Sequence, residues 1–162
     1  MKSLVVYDSA YGNTAKVATA IGDTLTSAGD VKVKMAEAVD EEDIQGCSLV
    51  VVGCPTQGGR PTKPIDTFIA SLPADLVEQT TFATFDTRFD IKEQKKALQL
   101  LMRIIGYAAP KISKALLQKG ATVVSDPQGF IVGDQKGPLL DGELAKAEAW
   151  AGELLATIKE PA

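Results

Sequence analysis

Apolar residues recur along this chain in short β-branched runs, and the stretches between those runs carry helical spacing. Leu4, Val5, Val6 and Tyr7 form a continuous run that predicts a buried strand. After a polar, Gly-containing loop, residues 14–28 place Val17, Ala20, Ile21 and Leu25 on one helical face, and Gly29 ends that helix. Residues 31–35 alternate apolar residues with Lys32 and Lys34, as in an edge or half-exposed strand. Residues 49–54 are apolar throughout, which suits a central parallel strand covered on both faces. A Pro/Gly-rich loop and a helix near 62–72 come next, then a fourth strand at 80–85. Residues 122–124 and 130–132 predict a fifth strand, interrupted by Ser125, Asp126 and Pro127. A last helix spans 141–158, with Asp141 as a candidate N-cap and Leu144, Ala147, Leu154 and Ile158 facing inward.

Strands that alternate with helices imply right-handed βαβ crossovers and a parallel sheet covered on both faces. The chain has 162 residues, which at about 100–200 residues per domain is a single domain over 1–162. The expected fold is therefore α/β, a doubly wound five-stranded parallel sheet of order 2-1-3-4-5. One stretch exceeds that plan. Two helical patterns, 91–105 and 110–119, lie between strands four and five, separated by Gly106, with Pro110 opening the second. The fold thus carries an extra helix between strands 4 and 5. Its apolar positions (91, 98, 101, 102 and 105, with Ala97, Leu100 and Ile104 beside them) make a stripe wider than one sheet-facing helix needs. The stripe reads either as ordinary core and neighbour contact, or as a lid or a face for oligomerisation through 91–105.

Composition narrows the chemistry. There is no histidine, which excludes Ser-His-Asp and Cys-His catalysis and imidazole-based zinc sites or proton shuttles. Two cysteines, Cys47 and Cys54, cannot build a disulfide framework, and both sit in or beside apolar sequence as reduced, buried thiols would. Chemistry in such a chain calls for a borrowed cofactor. Net charge is −4, no footprint for nucleic acid, but the charges are segregated. Residues 37–43 carry five acids and no base; 88–119 carry eight bases against Asp90 and Glu93. Such runs are ordinarily solvated faces. Met1, Lys2 and Ser3 lead straight into the first strand without a signal-like segment. The most apolar long stretch, 97–110, is short of the roughly 20 residues a spanning helix needs. The expectation is a soluble, cytoplasmic protein.

In open α/β sheets, ligands bind at the carboxyl ends of strands beside the switch in strand order. The loop after strand one is Asp8, Ser9, Ala10, Tyr11, Gly12, Asn13 and Thr14. It offers short hydrogen-bonding side chains, a glycine for a tight turn, and a following helix N-terminus that favours phosphate. It has neither GxxxxGK[ST] nor GxGxxG, and a plain polar turn would have the same composition.

The run over 5–21, with Ser9, Gly12, Asn13 and Thr14 in a strand–loop–helix context, resembles the first strand, phosphate loop and first helix of the flavodoxin family. The family loop is typically Ser/Thr-x-Thr-Gly-Asn-Thr, and Tyr11 replaces its middle Thr. The length resembles the short-chain type. The resemblance implies an FMN cofactor, with Ser9, Ala10, Tyr11, Gly12, Asn13 and Thr14 around its phosphate. By the same resemblance, Pro55, Thr56, Gln57, Gly58 and Gly59 flank the isoalloxazine ring, and Gly58 or Gly59 offers a carbonyl to a protonated flavin N5. The third loop, 85–90, resembles the family's second isoalloxazine-binding loop and contributes Asp86, Thr87, Arg88 and Phe89, with Phe89 or Tyr11 in place of the usual stacking Tyr. Arg88 would either raise the flavin potential or act structurally, capping a helix or pairing with Asp86 or Asp90. The implied function is electron transfer between redox partner proteins, which could dock on the basic 88–119 face; the alternative is a flavin-dependent oxidoreductase acting on a quinone, porphyrinogen or NAD(P)H.

Other classes fit less well. Cys54 and Arg60 have the C-x5-R spacing of cysteine phosphatases, but Pro55 removes the first N–H of the cradle. A phosphorylated receiver domain needs an acidic pair after strand one and an Asp after strand three, where this chain has Asp8 and Cys54. A cofactor-free interaction module shares the topology.

Overall fold

The protein, seen here as a computed structural model that describes residues 1–159, is built on its two most apolar strands. β1 (Lys2–Tyr7) and β3 (Leu49–Pro55) lie side by side in the sheet interior. β2 (Asp30–Met35) flanks β1 at the edge, where Lys32, Val33 and Met35 are exposed and Lys34 is half-buried. β4 (Thr81–Phe89) flanks β3 on the other side. β5 (Thr122–Val123) and β6 (Gln128–Val132) both pair with β4, at its amino and carboxyl halves respectively. All these pairings are parallel and the order is β2-β1-β3-β4-β5, with β6 completing the interrupted fifth position. The expected 2-1-3-4-5 doubly wound sheet is the fold observed.

Two cores cover the two faces. On one, α1 (Asn13–Leu25) and α7 (Glu143–Lys159) pack Val17, Ile21, Ala147 and Leu154 against Val5, Val51 and Phe85. Phe85, Phe130 and Trp150 meet there edge to face, with ring centroids 6.1–6.4 Å apart. On the other, α3 (Lys63–Ser71) and α6 (Ala108–Gln118) cover Leu4, Val50, Val52 and Phe82. Two short helices, α2 (Glu41–Ile44) and α4 (Ala74–Gln79), carry no periodic signal long enough to read in the sequence. No helix among the described residues is long and apolar enough to cross a membrane.

Several boundaries move for identifiable reasons. The fourth strand continues to Phe89, because β6 pairs with residues 85–89 and supplies the ladder that the local sequence does not announce. α6 begins at Ala108 rather than at Pro110, since Thr56 Oγ1 accepts the Ala108 N–H and Asp86 Oδ2 accepts that of Ala109. α7 starts at Glu143, not at Asp141; Gly142 intervenes with φ +86°, and the Glu143 carboxylate accepts the Ile131 N–H. Leu144 is exposed, and Trp150, Ala151 and Leu155 take up the inward face instead.

The acidic run at 37–43 is not wholly a solvated face. Asp43 is buried beside β2, where Lys32 and Lys34 reach it at 2.7 and 2.5 Å. Hydrogen bonds from these two ammonium groups and from the Asp40 N–H hold its carboxyl well below the usual carboxylate range. The alternation of lysines along β2 therefore serves this clasp as well as the exposed edge.

Candidate functional site

The carboxyl ends of β1, β3 and β4 converge where the strand order reverses. Three segments meet there, and they use their polar groups differently.

After β1, the chain turns at Gly12, which adopts φ +89° and ψ −8° and enters α1 directly. A side chain at Gly12 would meet open space, so the left-handed backbone alone is what demands glycine. Ser9 braces the turn: its Oγ accepts the N–H groups of Gly12 (3.1 Å) and Ala15 (3.3 Å), which leaves its own O–H to donate. Thr14 Oγ1 lies 2.8 Å from Thr87 Oγ1, tying the loop to β4. Asn13 Nδ2 gives one proton to the Lys136 carbonyl at 3.1 Å. Asn13 and Thr14 are buried, yet among the described residues their backbone N–H groups have no acceptor. These first-turn donors sit at the positive end of the α1 dipole. Tyr11, half exposed, carries Lys136 Nζ 5.9 Å from its ring centroid.

After β3, the chain makes a hairpin. Gln57 and Arg60 exchange both backbone hydrogen bonds (3.1 and 3.0 Å), and the central Gly58 and Gly59 adopt φ +57° and +73°. Two successive positive φ angles are what a type I′ turn requires, and this is why both positions are glycine. A side chain at Gly59 would strike Ile105. The Gly59 carbonyl accepts the Lys111 ammonium, which also reaches the Ile105 carbonyl at 2.6 Å. Of the two glycines, Gly59 therefore has its carbonyl engaged. Thr56 N–H bonds the Thr87 carbonyl at 2.9 Å, and Pro55 ends the strand.

Residues 86–89 lie within β4, not in a loop. Asp86 is wholly buried and holds Arg88 in a two-point pair, Nε to Oδ1 at 2.6 Å and the second nitrogen to Oδ2 at 2.7 Å. The Arg88 guanidinium lies 3.8 Å over the Tyr107 ring. Burial pushes the Tyr107 phenol up, and Arg88 pulls against it. Of the two roles that the sequence allows Arg88, the pairing with Asp86 is the one its geometry realises. Phe89 ends the strand, half-buried.

Cys54 is fully buried against the α3–α6 core, and burial pushes its thiol up to about 12. A thiol held protonated inside a core is no nucleophile, and the following residues form a hairpin rather than an anion cradle. The phosphatase reading fails on both counts.

The residue that sequence reasoning missed is Lys136. It stands 123 positions from Asn13, in a segment with no recognisable motif, and only the fold brings the two together.

The flavodoxin family model matches residues 5–101, from β1 through the hairpin and β4 into the following helical segment. No curated protein sequence matches the chain. A flavodoxin from the domain Archaea superposes with a TM-score of 0.75 at 21% identity, covering 99% of this chain and 100% of its own. A flavodoxin of Streptococcus pneumoniae TIGR4 gives 0.69 at 20% identity, covering 96% and 99%. Rubredoxin oxygen:oxidoreductase from Desulfovibrio gigas gives 0.73 at 16% identity, but this chain spans only 36% of that one. At these identities the superpositions establish the fold, and the family match over 5–101 does the rest: the chain belongs to the flavodoxin family.

Proposed function

We propose that this protein binds FMN at the carboxyl ends of β1, β3 and β4 and carries electrons between redox partner proteins. The observation that carries the reading is the β1–α1 turn. Backbone N–H groups without acceptors at the buried residues Asn13 and Thr14, a braced left-handed glycine and a helix N-terminus form a cradle of neutral donors for a phosphate. A cradle of that chemistry fits the phosphate of FMN. The Ser9 O–H adds a further donor, and Lys136 stands near enough to bring a cation.

The other segments fit the ring. In the hairpin at 57–60, Gly58 would offer its peptide to the ring, since Lys111 already occupies the Gly59 carbonyl. Tyr11 in the first loop and Phe89 at the end of β4 offer aromatic rings, Tyr11 the more exposed of the two. Asp86 and Thr87 are buried and bonded within the fold, so they shape the floor through backbone and packing rather than through free side-chain donors. Arg88 and Asp86 cancel each other's charge. FMN would supply one-electron chemistry when bound; the chain would position it, and it has no histidine for proton delivery.

A carrier needs a docking surface as well as a site. The basic stretch 88–119 begins at the site and continues along α6, where Lys114 is exposed, and it fits an acidic partner. Transfer rates are expected to fall with ionic strength and with Lys114→Glu; rates indifferent to both contradict that docking. The cytoplasm is the compartment in which two free thiols and such partners are at home.

An anaerobic reductive titration followed by absorbance tests the reading. We expect a bound flavin reduced in two separate one-electron steps, and no reduction by NAD(P)H alone. Rapid reduction by NAD(P)H would instead make the protein a flavin oxidoreductase, and a colourless protein that takes up no FMN would contradict both.

A further inference from the structure

The helix α5 (Lys96–Ile105) is inside out. At about 100° per residue, Leu100, Ile104, Ala97, Leu101, Ile105 and Leu98 follow one another around an apolar arc roughly 160° wide. In a helix packed on a core that arc faces inward. Here Ile104 is 75% exposed and Leu100 62%, with Leu98, Leu101 and Ile105 also exposed. No residue of the helix is buried. The side turned toward the body is the polar one: Gln99 donates to the carbonyls of Lys92 and Gln94, and Met102 is its apolar neighbour. The helix is nonetheless anchored at its carboxyl end, where Ile105 abuts Gly59 and Lys111 binds the Ile105 carbonyl.

An apolar arc held outward by a fixed end calls for an occupant, and the surrounding charge selects one. Lys92, Lys95, Lys96 and Arg103 are all exposed around it, against Asp90 and Glu93, while the chain as a whole is net −4. A second copy would set this basic cluster against itself. The strip is also small: about 15 Å by 10 Å, on the order of 150 Å², where a stable protein interface takes about 800 Å² a side. The arc holds only aliphatic side chains, without the Trp and Tyr that concentrate binding energy at protein interfaces. Leucine and isoleucine on one side, with lysine and arginine at the margin, is the composition of a helix that lies in a lipid interface.

We propose that α5 is a peripheral membrane-docking helix that seats its Leu100–Ile104 arc in the surface of an anionic bilayer. Lys92, Lys95, Lys96 and Arg103 would meet the headgroup phosphates, and the acidic remainder of the chain would be repelled, which fixes the orientation. The hairpin at 57–60, tied to the same end of α5, then lies close to the membrane surface. The inference stands on α5 alone and does not depend on FMN.

The test is co-sedimentation of the purified full chain with vesicles of phosphatidylcholine alone, or of phosphatidylcholine with about a third phosphatidylglycerol, at low and high salt. Binding to the anionic vesicles is expected to be at least ~10-fold stronger than to the neutral ones, and to weaken several-fold at high salt. Leu100→Ser with Ile104→Ser should abolish it, while circular dichroism and melting temperature stay at wild-type values, because both side chains are exposed. Analytical ultracentrifugation of the same samples completes the test. The proposal is overturned by equal or absent binding to both vesicle types, by binding that survives the double substitution, or by a vesicle-indifferent dimer that the double substitution dissociates.

Discussion

The ends of β1 and β4 are both rich in polar residues, and both lie at the carboxyl edge of the sheet, yet they are wired in opposite ways. At β4, Asp86 accepts from Arg88 and from the Ala109 N–H, Arg88 rests on Tyr107, and Thr87 bonds Thr14. Every one of those groups is engaged within the fold. At β1, the side chains also bond internally, but they do so in a way that leaves the backbone donors of Asn13 and Thr14 unengaged. A charged pair looks more like a binding site than a turn of small residues does. Their bonding reverses that impression: an ion pair whose carboxylate is wholly buried and whose guanidinium is mostly covered is structure, and helix-start N–H groups without acceptors on buried residues are a place for a ligand.

The largest break in that comparison should come from β4. Removing Arg88 leaves the Asp86 carboxylate uncompensated in a site with no exposure, so Arg88→Ala should lower stability by about 3–5 kcal/mol. Removing both partners by Asp86→Ala with Arg88→Ala should cost clearly less than the two single costs added together. Chemical denaturation of the four proteins checks this; strict additivity would mean that the pair is not coupled. Gly12→Ala comes next. With open space around the new methyl, its cost is the strain of a left-handed alanine, about 1–2 kcal/mol, and relief of that strain would re-aim the first-turn donors. Thermal melts should show the loss, and flavin affinity should fall with it. Ser9→Ala removes one acceptor shared by two N–H groups, a loss of about 1 kcal/mol, with a smaller drop in affinity.

The clasp at Asp43 sharpens the contrast from a distance, since there too a buried charge is spent on the fold. Its folded-state pKa is lowered, so its contribution is fully present above the unfolded value of about 3.9 and is lost as pH falls toward and through the folded one. Lys32 is raised, so its share is present below about 10.4 and is lost as pH climbs through its folded value. The stability gap between the wild type and Asp43→Asn should therefore be flat between about pH 5 and pH 9 and close in acid. A gap that grows below pH 4 would contradict the assignment.

What could be read in the sequence follows from how local its cause is. The continuous apolar runs of β1 and β3 and the Lys alternation of β2 disclosed the sheet order, because burial on two faces or on one is written in the strand itself. The phosphate-loop turn was equally legible, since Ser9, Gly12, Asn13 and Thr14 act within six residues. β4 past Phe85 was not, because its extension depends on β6, some forty positions away. The Asn13–Lys136 contact is longer-range still. For α5 the periodicity disclosed a wide apolar arc but not its direction: spacing fixes which residues share a face, and only the anchoring of Ile105 at Gly59 decides which way that face turns.

Binding of FMN against riboflavin to the apoprotein, followed by flavin fluorescence, isolates what the β1–α1 turn does, since the two ligands differ only in the phosphate. Two hydrogen bonds to a charged group at about 1.5 kcal/mol each correspond to roughly 100-fold. FMN should bind at least that much tighter, with the advantage shrinking in Gly12→Ala and Ser9→Ala. Equal affinity for the two flavins, or no affinity for either, would contradict phosphate binding at that turn.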